Sequence, residues 1–465
     1  MQVMKKGMVM IMQLNNKKVL VFGAAKSGIS ATRLLQKQGA FVILYDGNTK
    51  LRVEDFKDQF DIHHNFQAIF GELPQDIADH LDLLVISPGI AVDHPIVEAI
   101  RLKGVPVWGE IELAYRFSKG KIIGITGTNG KTTTTTLVGE IMKTWFEEVN
   151  VVGNIGNPYT DIALEATEKA VSVIELSSFQ LETIDEFKPD VSAILNITPD
   201  HLNRHHTMEN YIRMKENVAR NQTMSELCVL NYEDETLRVM AGRLHTRVLF
   251  FSSERELKDG LFLTGEEIYY AVNGVRQLVC NVNELRILGK HSYENVMAGV
   301  GIAITMGVPM ELIKKAITSF HAVEHRIEYV ETINGVTYYN DSKGTNPDAS
   351  IKAVQAMKSP TLVIGGGYDK NNEFDEWIEA FEGKVRYLVL LGQTREKIAE
   401  TAIRHGFTNI IMVESLKEAV RVCADKAKEG DAVLLSPACA SWGMFENYEQ
   451  RGRLFKEYVR EMLQS

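Results

Sequence analysis

The stretch GITGTNGKTT, residues 124–133, combines glycines, a lysine and threonines as a phosphate-binding loop would. The apolar run KIIGIT precedes it, and TTTTTLVGEIM can begin a helix whose free N–H groups face an anion. Gly127 and Gly130 permit a tight turn, Lys131 supplies positive charge for phosphates, and Thr132 supplies a hydroxyl for Mg²⁺. Gly127 nevertheless stands three residues before Gly130, whereas the general pattern has a glycine five before. A glycine-containing turn with a solvated lysine is the alternative.

Further polar residues follow the next predicted strands and helix. Glu175 ends the run VSVIE, at the edge of a parallel sheet where ligands bind. A carboxylate is costly there unless it meets a cation, although it could instead cap the next helix. His201 lies in the polar loop TPDHLNRH, where a structural histidine is the alternative to a ligand. Lys215, in the helix that follows, would by itself be interpreted as a solvated helical lysine.

The amino-terminal run VFGAAKSGIS resembles the dinucleotide motif GxGxxG, with Ala25 at the second glycine position. Asp46 follows Gly28 by 18 residues, at the end of the second predicted strand. The missing central glycine weakens close approach to a pyrophosphate. The motif therefore indicates a nucleotide or diphosphate group, of which NAD is only one candidate.

Three glycine-rich loops near the carboxyl end carry cations or hydroxyls. They contain Lys343 with Thr345, then Lys370, and then Ser436 with Ser441. A crevice with this lining would suit a small polyanion, although turns rich in glycine and asparagine need no ligand.

These residues must be positioned by short β-branched runs that alternate with helical patterns, which predicts an α/β protein with parallel sheets. The series restarts twice, so we expect boundaries near residues 117 and 323. The predicted strands are residues 17–23, 41–46, 81–89 and 105–108 in the first segment, 121–127, 149–156, 171–178 and 191–198 in the second, and TLVIGGG, VRYLVLLG, NIIMVES and DAVLLSPA in the third.

Composition excludes several classes of protein. The chain of 465 residues has a net charge of −10, which argues against general affinity for nucleic acid or an anionic membrane. Its four cysteines have no CxxC spacing, so neither disulfides nor zinc is indicated, and a cytoplasmic location fits. The uncharged run 295–310 is too short to span a membrane and predicts a buried helix. The methionine-rich start, residues 1–14, is interpreted as a lead-in to a strand.

Eight motifs in order resemble the Mur ligase family, and within it the branch that adds D-glutamate. They are GTNGKTT, GNIG, ELSSFQLE, NITPDHLNRH, the lysine of MKENVA, HRIE, NDSKGTNPDA and SPACASWGMF. The resemblance extends from VFGAAKSG to YEQRGRLF, and the compact GTNGKT loop is the family's own form. It implies three domains: a Rossmann-like UDP-substrate domain (1–117), a central P-loop ATPase-like parallel-sheet domain that binds ATP (118–322), and a Rossmann-like domain that binds the amino acid and closes over the nucleotide (323–465).

The resemblance also implies a reaction in peptidoglycan precursor synthesis. ATP would phosphorylate the carboxylate of UDP-N-acetylmuramoyl-L-alanine, the amine of D-glutamate would attack the acyl phosphate, and phosphate would leave. The expected protein is a monomeric cytoplasmic ligase that acts on small molecules, with no nucleic-acid partner and no membrane span.

Site residues are carried over from the family by motif. Two Mg²⁺ ions are implied, the first held by Thr132 and Glu175 and the second by His201 and a carbamylated Lys215. The implied catalytic residues are Lys131, Glu175, His201, Lys215 and Asn154. The implied ATP contacts are Gly127, Thr128, Asn129, Gly130, Lys131, Thr132, Thr133, Asn295, Arg326, Asp341 and Lys343. The UDP group would meet Ser27, Asp46, Ser87 and Gly89, and D-glutamate would meet Thr345, Lys370, Ser441 and Tyr448.

The sequence departs from the family pattern at three positions. Ser292 replaces an amide expected near adenine, Gly443 stands where aspartate is common, and Tyr448 stands where phenylalanine is expected. The alternatives are another Mur-type ligase, a folate polyglutamylating ligase, a catalytically inert nucleotide sensor, or a dehydrogenase that uses the VFGAAKSG motif.

Overall fold

A computed structural model describes residues 14–321 and 324–463. The chain divides into two compact units. The first contains the described residues up to Cys280 together with Asn295–Ala316, and the second contains Asn281–Glu294 and the described residues from Ile317 onward. Within these described ranges, no helix is both long and apolar enough to cross a membrane.

The first unit begins with a parallel five-stranded sheet in the order β3-β2-β1-β4-β5. Its apolar strands are buried because hydrophobic clusters lie on both faces. The order reverses at β1, and such a reversal forms a ligand crevice at the carboxyl ends of the strands. The elements are β1 (Lys18–Phe22), α1 (Lys26–Lys37), β2 (Phe41–Asp46), β3 (Phe66–Phe70), β4 (Leu83–Ile86), α2 (Pro95–Leu102), β5 (Val107–Gly109) and α3 (Glu110–Phe117).

The same unit contains a nine-stranded sheet in the order β14-β13-β12-β11-β10-β9-β6-β8-β7. From β12 to β7 in this order, all neighbouring strands are parallel. The order reverses at β6, which lies between β9 and β8, and β12 and β13 pair antiparallel. The strands are β6 (Lys121–Thr126), β7 (Val149–Gly153), β8 (Val171–Glu175), β9 (Val191–Ile194), β10 (Leu227–Asn231), β11 (Arg247–Ser252), β12 (Gly260–Thr264), β13 (Glu267–Val272) and β14 (Val275–Asn281). The helices are α4 (Lys131–Lys143), α5 (Ser178–Leu181), α6 (Leu202–His205), α7 (Met208–Glu216) and α8 (Glu235–Ala241). The division between the units falls within the last two helices, α9 (Lys290–Thr305) and α10 (Met310–Ser319).

The second unit contains a six-stranded sheet in the order β15-β16-β20-β17-β18-β19. An antiparallel β15–β16 hairpin forms one edge, and the other described pairs are parallel. The elements are β15 (Glu328–Ile333), β16 (Val336–Asn340), α11 (Pro347–Ala356), β17 (Thr361–Gly365), α12 (Asp375–Glu379), β18 (Val385–Leu390), α13 (Arg395–Arg404), β19 (Ile410–Met412), α14 (Leu416–Lys426), β20 (Ala432–Leu435) and α15 (Tyr448–Glu461).

The α/β class and the three sheets confirm the predicted fold, with three differences. The sequence analysis missed β3, β10 to β14, β15 and β16, and the sheets are not wholly parallel. The uncharged run 295–310 does form a buried helix, but that helix begins at Lys290 and ends at Thr305. The boundary at 117/118 stays a prediction, while residues 1–13 of the methionine-rich start and the 322/323 boundary lie outside the described residues.

Candidate active site

The predicted phosphate loop connects β6 to α4, as expected from the strand and helix patterns on either side of it. Gly130 caps α4 with φ of +85°, and a β-carbon there would lie 2.4 Å from Oδ1 of Asn295. Only glycine fits this close approach. Asn295, a predicted ATP contact on α9, is therefore next to the phosphate loop in space although it is far from it in the sequence.

Asn196, which follows β9, anchors the phosphate loop. Its carbonyl oxygen accepts a hydrogen bond from Thr128 N (2.9 Å), and its side chain pairs with the backbone of Asn129 at 2.8 and 3.1 Å. The Thr128 hydroxyl also lies 2.9 Å from the Tyr211 hydroxyl. The sequence analysis missed Asn196 and Tyr211, although Asn196 stands at the end of a strand that neighbours β6.

Lys131 begins α4, and its side chain folds back over the loop. Nζ donates to the carbonyl oxygens of Gly127 (2.8 Å) and Thr128 (2.7 Å). Thr132 lies half-buried in the first turn of the helix, and Thr133 is buried behind it. A cation and a hydroxyl at a helix amino terminus form a suitable site for a phosphate with its metal.

Glu175 ends β8 and is only 2% exposed. Its Oε1 accepts a hydrogen bond from Asn154 Nδ2 at 2.7 Å, whereas Oε2 has no hydrogen-bond partner among the described residues. Ser177, not Glu175, caps α5, which excludes the capping alternative. A buried carboxylate oxygen without a donor is costly in a protein interior, and a hard divalent cation is a ligand that would satisfy it.

Lys215 is 2% exposed, so the solvated alternative is wrong. Its Nζ donates to the Gly127 carbonyl oxygen (2.6 Å), which also accepts from Lys131, and lies 3.4 Å from Thr126 Oγ1. Burial, with the nearby Lys131 charge, lowers the pKa of Lys215 well below its usual value, although Asp200 and Glu175 oppose this shift. The neutral amine is therefore favoured far more than in an exposed lysine.

His201 lies in the loop after β9 with φ of +52°, a left-handed conformation that a β-carbon disfavours. Its side chain is half exposed, with Nε2 3.5 Å from Asp200 Oδ2. The ring also packs edge-on against Phe179. An accessible imidazole beside a carboxylate can bind a divalent cation, so its role as a ligand stays a prediction.

The predicted UDP residues converge at the order reversal of the first sheet. Asp46 Oδ2 accepts from Ala24 N at 2.9 Å, and the Ser87 hydroxyl donates to the Gly23 carbonyl oxygen at 3.3 Å. A β-carbon on Gly28 would lie 1.7 Å from that same carbonyl oxygen, so α1 can begin here only with glycine. Ser27 is half-buried and Gly89 is exposed, which leaves both open to a ligand.

A second group of predicted residues lies in the loops of the six-stranded sheet. Lys343 Nζ lies 5.6 Å from the centre of the Tyr448 ring, and the exposed Lys370 lies 4.8 Å from that of Trp442, next to the buried Ser441. Thr345 is half-buried, and its N–H donates to the Lys343 carbonyl oxygen at 2.9 Å. Ser436 and Ser441 are buried, whereas Lys343 and Thr345 are half-buried and Lys370 is exposed, so binding of a polyanion by these loops stays a prediction.

The predicted nucleotide residues of the second unit differ in accessibility. Asp341 is fully buried and accepts from the Ser436 hydroxyl at 2.8 Å. Burial raises the pKa of Asp341 to about 6, although Arg326 opposes this shift. Arg326 is half-buried, and Ser292, one of the departures, is buried with its hydroxyl 3.3 Å from His291 Nε2. The roles of Arg326 and Asp341 stay predictions.

Glu110, which the sequence analysis missed, is a buried carboxylate at the start of α3. Its Oε1 accepts from Thr160 N at 2.8 Å, and the Thr160 hydroxyl lies 2.7 Å from that of Ser30 on α1. These contacts join α1 and α3 to the segment that follows the GNIG loop. Lys26 Nζ on α1 also donates to the carbonyl oxygen of Gly156, the last residue of that loop, at 2.5 Å. Nothing in the local pattern GEIEL indicates burial of this glutamate.

Burial raises the pKa of Glu110 to about 7 from 4.5. The folded protein therefore keeps a proton that the unfolded chain loses, so stability falls by up to about 3 kcal/mol as pH rises from 4.5 to 7. We expect Glu110→Gln to remove this pH-dependent component. The unfolding temperature of the variant minus that of the wild type should therefore increase as pH rises from 5 to 8. Thermal unfolding across this range checks the slope, with the exposed Glu98→Gln as the control for loss of a carboxylate. Parallel curves for wild type and Glu110→Gln would contradict the assignment.

Comparison with known proteins covers nearly the whole chain. Family models match three regions: the Mur ligase MurD-like N-terminal domain at residues 17–109, the Mur ligase middle domain at 125–303, and the Mur ligase, glutamate ligase domain at 325–439. A UDP-N-acetylmuramoylalanine–D-glutamate ligase of Lachnoclostridium phytofermentans is 58% identical, over 97% of this chain and 99% of its own length. The ligase of the same name from Lachnospira eligens is 53% identical, over 97% of this chain and 100% of its own.

Solved structures share the fold at low sequence identity. UDP-N-acetylmuramate–alanine ligase from Thermotoga maritima superposes with a TM-score of 0.60 at 20% identity, over 96% of this chain and 99% of its own. The MurF ligase of the same organism, solved in complex with ADP, gives 0.59 at 17% identity, over 98% and 97%. The relatives that are more than 50% identical over nearly the full chain agree with the eight motifs, and so do the three successive domain matches. The chain therefore belongs to the Mur ligase family.

Proposed function

We propose that this protein is an ATP-dependent ligase that adds D-glutamate to UDP-N-acetylmuramoyl-L-alanine in peptidoglycan precursor synthesis. The observation that carries the proposal is the full-length identity of 58% and 53% to ligases of that name. It is combined with Lys131, half-buried at the phosphate loop, and with the buried Glu175 and Lys215. The cytoplasmic location and the monomeric state stay predictions from the sequence.

A carboxylate is a poor electrophile, so the reaction first needs activation. The γ-phosphoryl group of ATP is transferred to the alanine carboxylate, and ADP is the leaving group. The amine of D-glutamate attacks the resulting acyl phosphate and loses a proton, and the tetrahedral intermediate expels phosphate to leave the amide. The protein's part is to position the reactants and to stabilise developing negative charge. Lys131 faces the transferring phosphate from the helix start, and the Asn154 amide contacts the reacting end of the substrate while it also holds Glu175.

The donor set fits divalent magnesium. The orphaned Oε2 of Glu175 and the Thr132 hydroxyl are hard oxygen donors suited to one ion. His201 and Lys215 would serve a second, provided that Lys215 carries a carbamate. Magnesium in this position would neutralise the phosphate oxygens.

A carbamate on Lys215 is chemically reasonable at this position. Carbon dioxide reacts with a neutral amine, and burial together with Lys131 favours the neutral form of Lys215. The modification releases a proton and turns the neutral amine into an anion, which the positive charge of Lys131 attracts. It also supplies the oxygen ligands that a lysine lacks.

Three sets of residues are proposed to hold the substrates. The UDP group docks at Ser27, Asp46, Ser87 and Gly89 of the first sheet. The adenosine triphosphate contacts include Asn295, Arg326, Asp341 and Lys343 in addition to the phosphate loop. D-glutamate is held by Thr345, Lys370, Ser441 and Tyr448, with its two carboxylates bound by a cation and by hydroxyls.

The test of this function is phosphate release with ATP, Mg²⁺ and the UDP-muramoyl-alanine precursor against a panel of amino acids. We expect D-glutamate to support turnover, whereas L-glutamate and D-aspartate do not. When both carboxylates are bound, only one enantiomer has its amine directed at the acyl phosphate. The shorter side chain of aspartate cannot reach the lysine and the hydroxyl groups at the same time. Preference for L-alanine, a diamino acid or L-glutamate would show another Mur-type or folate-type ligase. If no amino acid in the panel stimulates phosphate release, the catalytically inert nucleotide sensor would be favoured.

Lys370→Ala is expected to raise the KM for D-glutamate at least about tenfold, because a charge-assisted hydrogen bond to a carboxylate is lost. The KM for ATP should change much less. Steady-state kinetics with each substrate varied in turn measures the difference. The exposed Lys426→Ala, at the end of α14 in the same unit, is the matched control. An equal rise in both KM values would contradict the role of Lys370.

A further inference from the structure

Arg451 lies on α15 and is only 2% exposed, which is rare for an arginine. Among the described residues, no carboxylate oxygen forms an ion pair with it. Its guanidinium instead bonds to neutral oxygens: Nε donates to the Ser342 hydroxyl (2.9 Å), Nη2 to the Ser342 carbonyl (2.8 Å) and Nη1 to the Cys439 carbonyl (3.1 Å). The Asp341 carboxylate attracts the guanidinium without forming a direct ion pair. Burying a charge without a direct ion pair is expensive, which indicates a role beyond packing.

The three acceptors place Arg451 behind the proposed amino-acid pocket. Ser342 immediately precedes Lys343 in the loop that carries Thr345, and Cys439 lies two residues before Ser441. The Ser342 hydroxyl, which accepts from Arg451, also donates to the Tyr448 carbonyl oxygen at 2.8 Å. One guanidinium therefore connects the three chain segments that carry Thr345, Ser441 and Tyr448.

Arg451 also lies next to the pocket in space. It lines a cavity of about 10 Å³ together with Ser441, Gly366 and Gly367. That volume holds about one water molecule. Arg451 and Ser441 therefore border the same small cavity, so a change at the arginine alters the surroundings of the serine.

We infer that Arg451 is a positioning residue for the amino-acid substrate, and that it fixes the relative placement of the loops that carry Thr345, Ser441 and Tyr448. This inference rests on the proposed function for the location of the pocket. The planar guanidinium of Arg451 has donors on three nitrogens, so it can bond to the Ser342 and Cys439 segments at the same time. Lysine carries the same charge on a single nitrogen and cannot reproduce this geometry.

The decisive experiment compares Arg451→Lys with Arg453→Lys, an exposed neighbour on the same helix. For Arg451→Lys we expect at least about a tenfold rise in the KM for D-glutamate, with the KM values for ATP and the UDP substrate within about threefold of wild type. Arg453→Lys should behave as wild type. Unchanged amino-acid KM, or an equal rise of all three KM values, would overturn the inference.

Ser342→Ala provides a second variant in case Arg451→Lys folds poorly. It removes the hydroxyl that connects Arg451 to Tyr448 but keeps the buried charge, and we expect the same selective rise in KM. If the wild-type enzyme uses a different amino acid, the proposed function fails, and the KM for that amino acid becomes the readout for both variants. A selective rise would then support the positioning role, and an unchanged KM would reject it.

Discussion

Replacing Lys131 with alanine is expected to lower the rate of ATP-dependent phosphate release by at least about a hundredfold, which corresponds to about 2.7 kcal/mol of transition-state stabilisation. The Lys131 ammonium is already held at the phosphate loop by the carbonyl oxygens of Gly127 and Thr128. A preorganised cation needs little rearrangement when charge develops on the transferring phosphoryl group. The loss should therefore appear in kcat at saturating ATP and Mg²⁺.

A second effect acts in the same direction. The charge of Lys131 is the second cause, after burial, of the lowered pKa of Lys215. Its removal therefore leaves Lys215 more readily protonated and less able to form a carbamate. High bicarbonate should recover only this second component, so activity should rise slightly but stay far below that of the wild type.

Lys143→Ala is the matched control for Lys131→Ala. Lys143 is the last residue of the same helix, is exposed, and pairs with Glu140 at 2.7 Å. Exposed pairs of this kind contribute little to stability, so activity and unfolding temperature should stay near wild type. Near-normal turnover of a folded Lys131→Ala variant would show that this loop does not hold the transferring phosphate.

The local part of the site could be predicted from the sequence. An apolar strand, a glycine-containing turn and a helix start are all encoded within about twelve residues of Lys131. Glu175 could be placed because it ends a strand, and the ends of neighbouring parallel strands lie at one edge of a sheet. Strand ends and loops are short-range features, so the sequence is informative about them.

The burial of charged residues could not be predicted in the same way. Lys215 lies in a polar helix, and its partner Gly127 is 88 residues away in the chain. Arg451 contacts Ser342 across 109 residues, and Glu110 contacts Thr160 across 50. Whether such a residue is exposed depends on the segment that packs against it, which no local pattern indicates.

Two missed hairpins did have a signal in the sequence. β13 and β14 flank Asn273–Gly274, and β15 and β16 flank Asn334–Gly335. All four of these residues have positive φ, as a two-residue hairpin turn requires. The alternating βα pattern predicts only parallel strands, whereas these Asn-Gly pairs indicate antiparallel hairpins at the edges of two sheets.

Lys215→Ala is expected to abolish turnover, and small carboxylic acids such as acetate are expected to restore part of it. The side chain is buried with its amine near Lys131, Asp200 and Glu175, so alanine leaves a space next to the metal-binding groups. A carboxylate that enters this space supplies the same two oxygens and negative charge as a carbamate. Activity should increase with carboxylate concentration and saturate, because the acid occupies a defined site.

Lys215→Met separates this explanation from a general effect of salt. Methionine has a side chain of similar length that fills the space, so acetate should not restore its activity, and sodium chloride should restore neither variant. Phosphate release with ATP, Mg²⁺, the UDP substrate and D-glutamate is the assay, with unfolding temperatures to confirm that both variants are folded. Substantial activity of Lys215→Ala without additives, or equal recovery by acetate and chloride, would contradict the carbamate. Recovery by acetate in the alanine variant alone would identify Lys215 as the support of an anionic group in the active site.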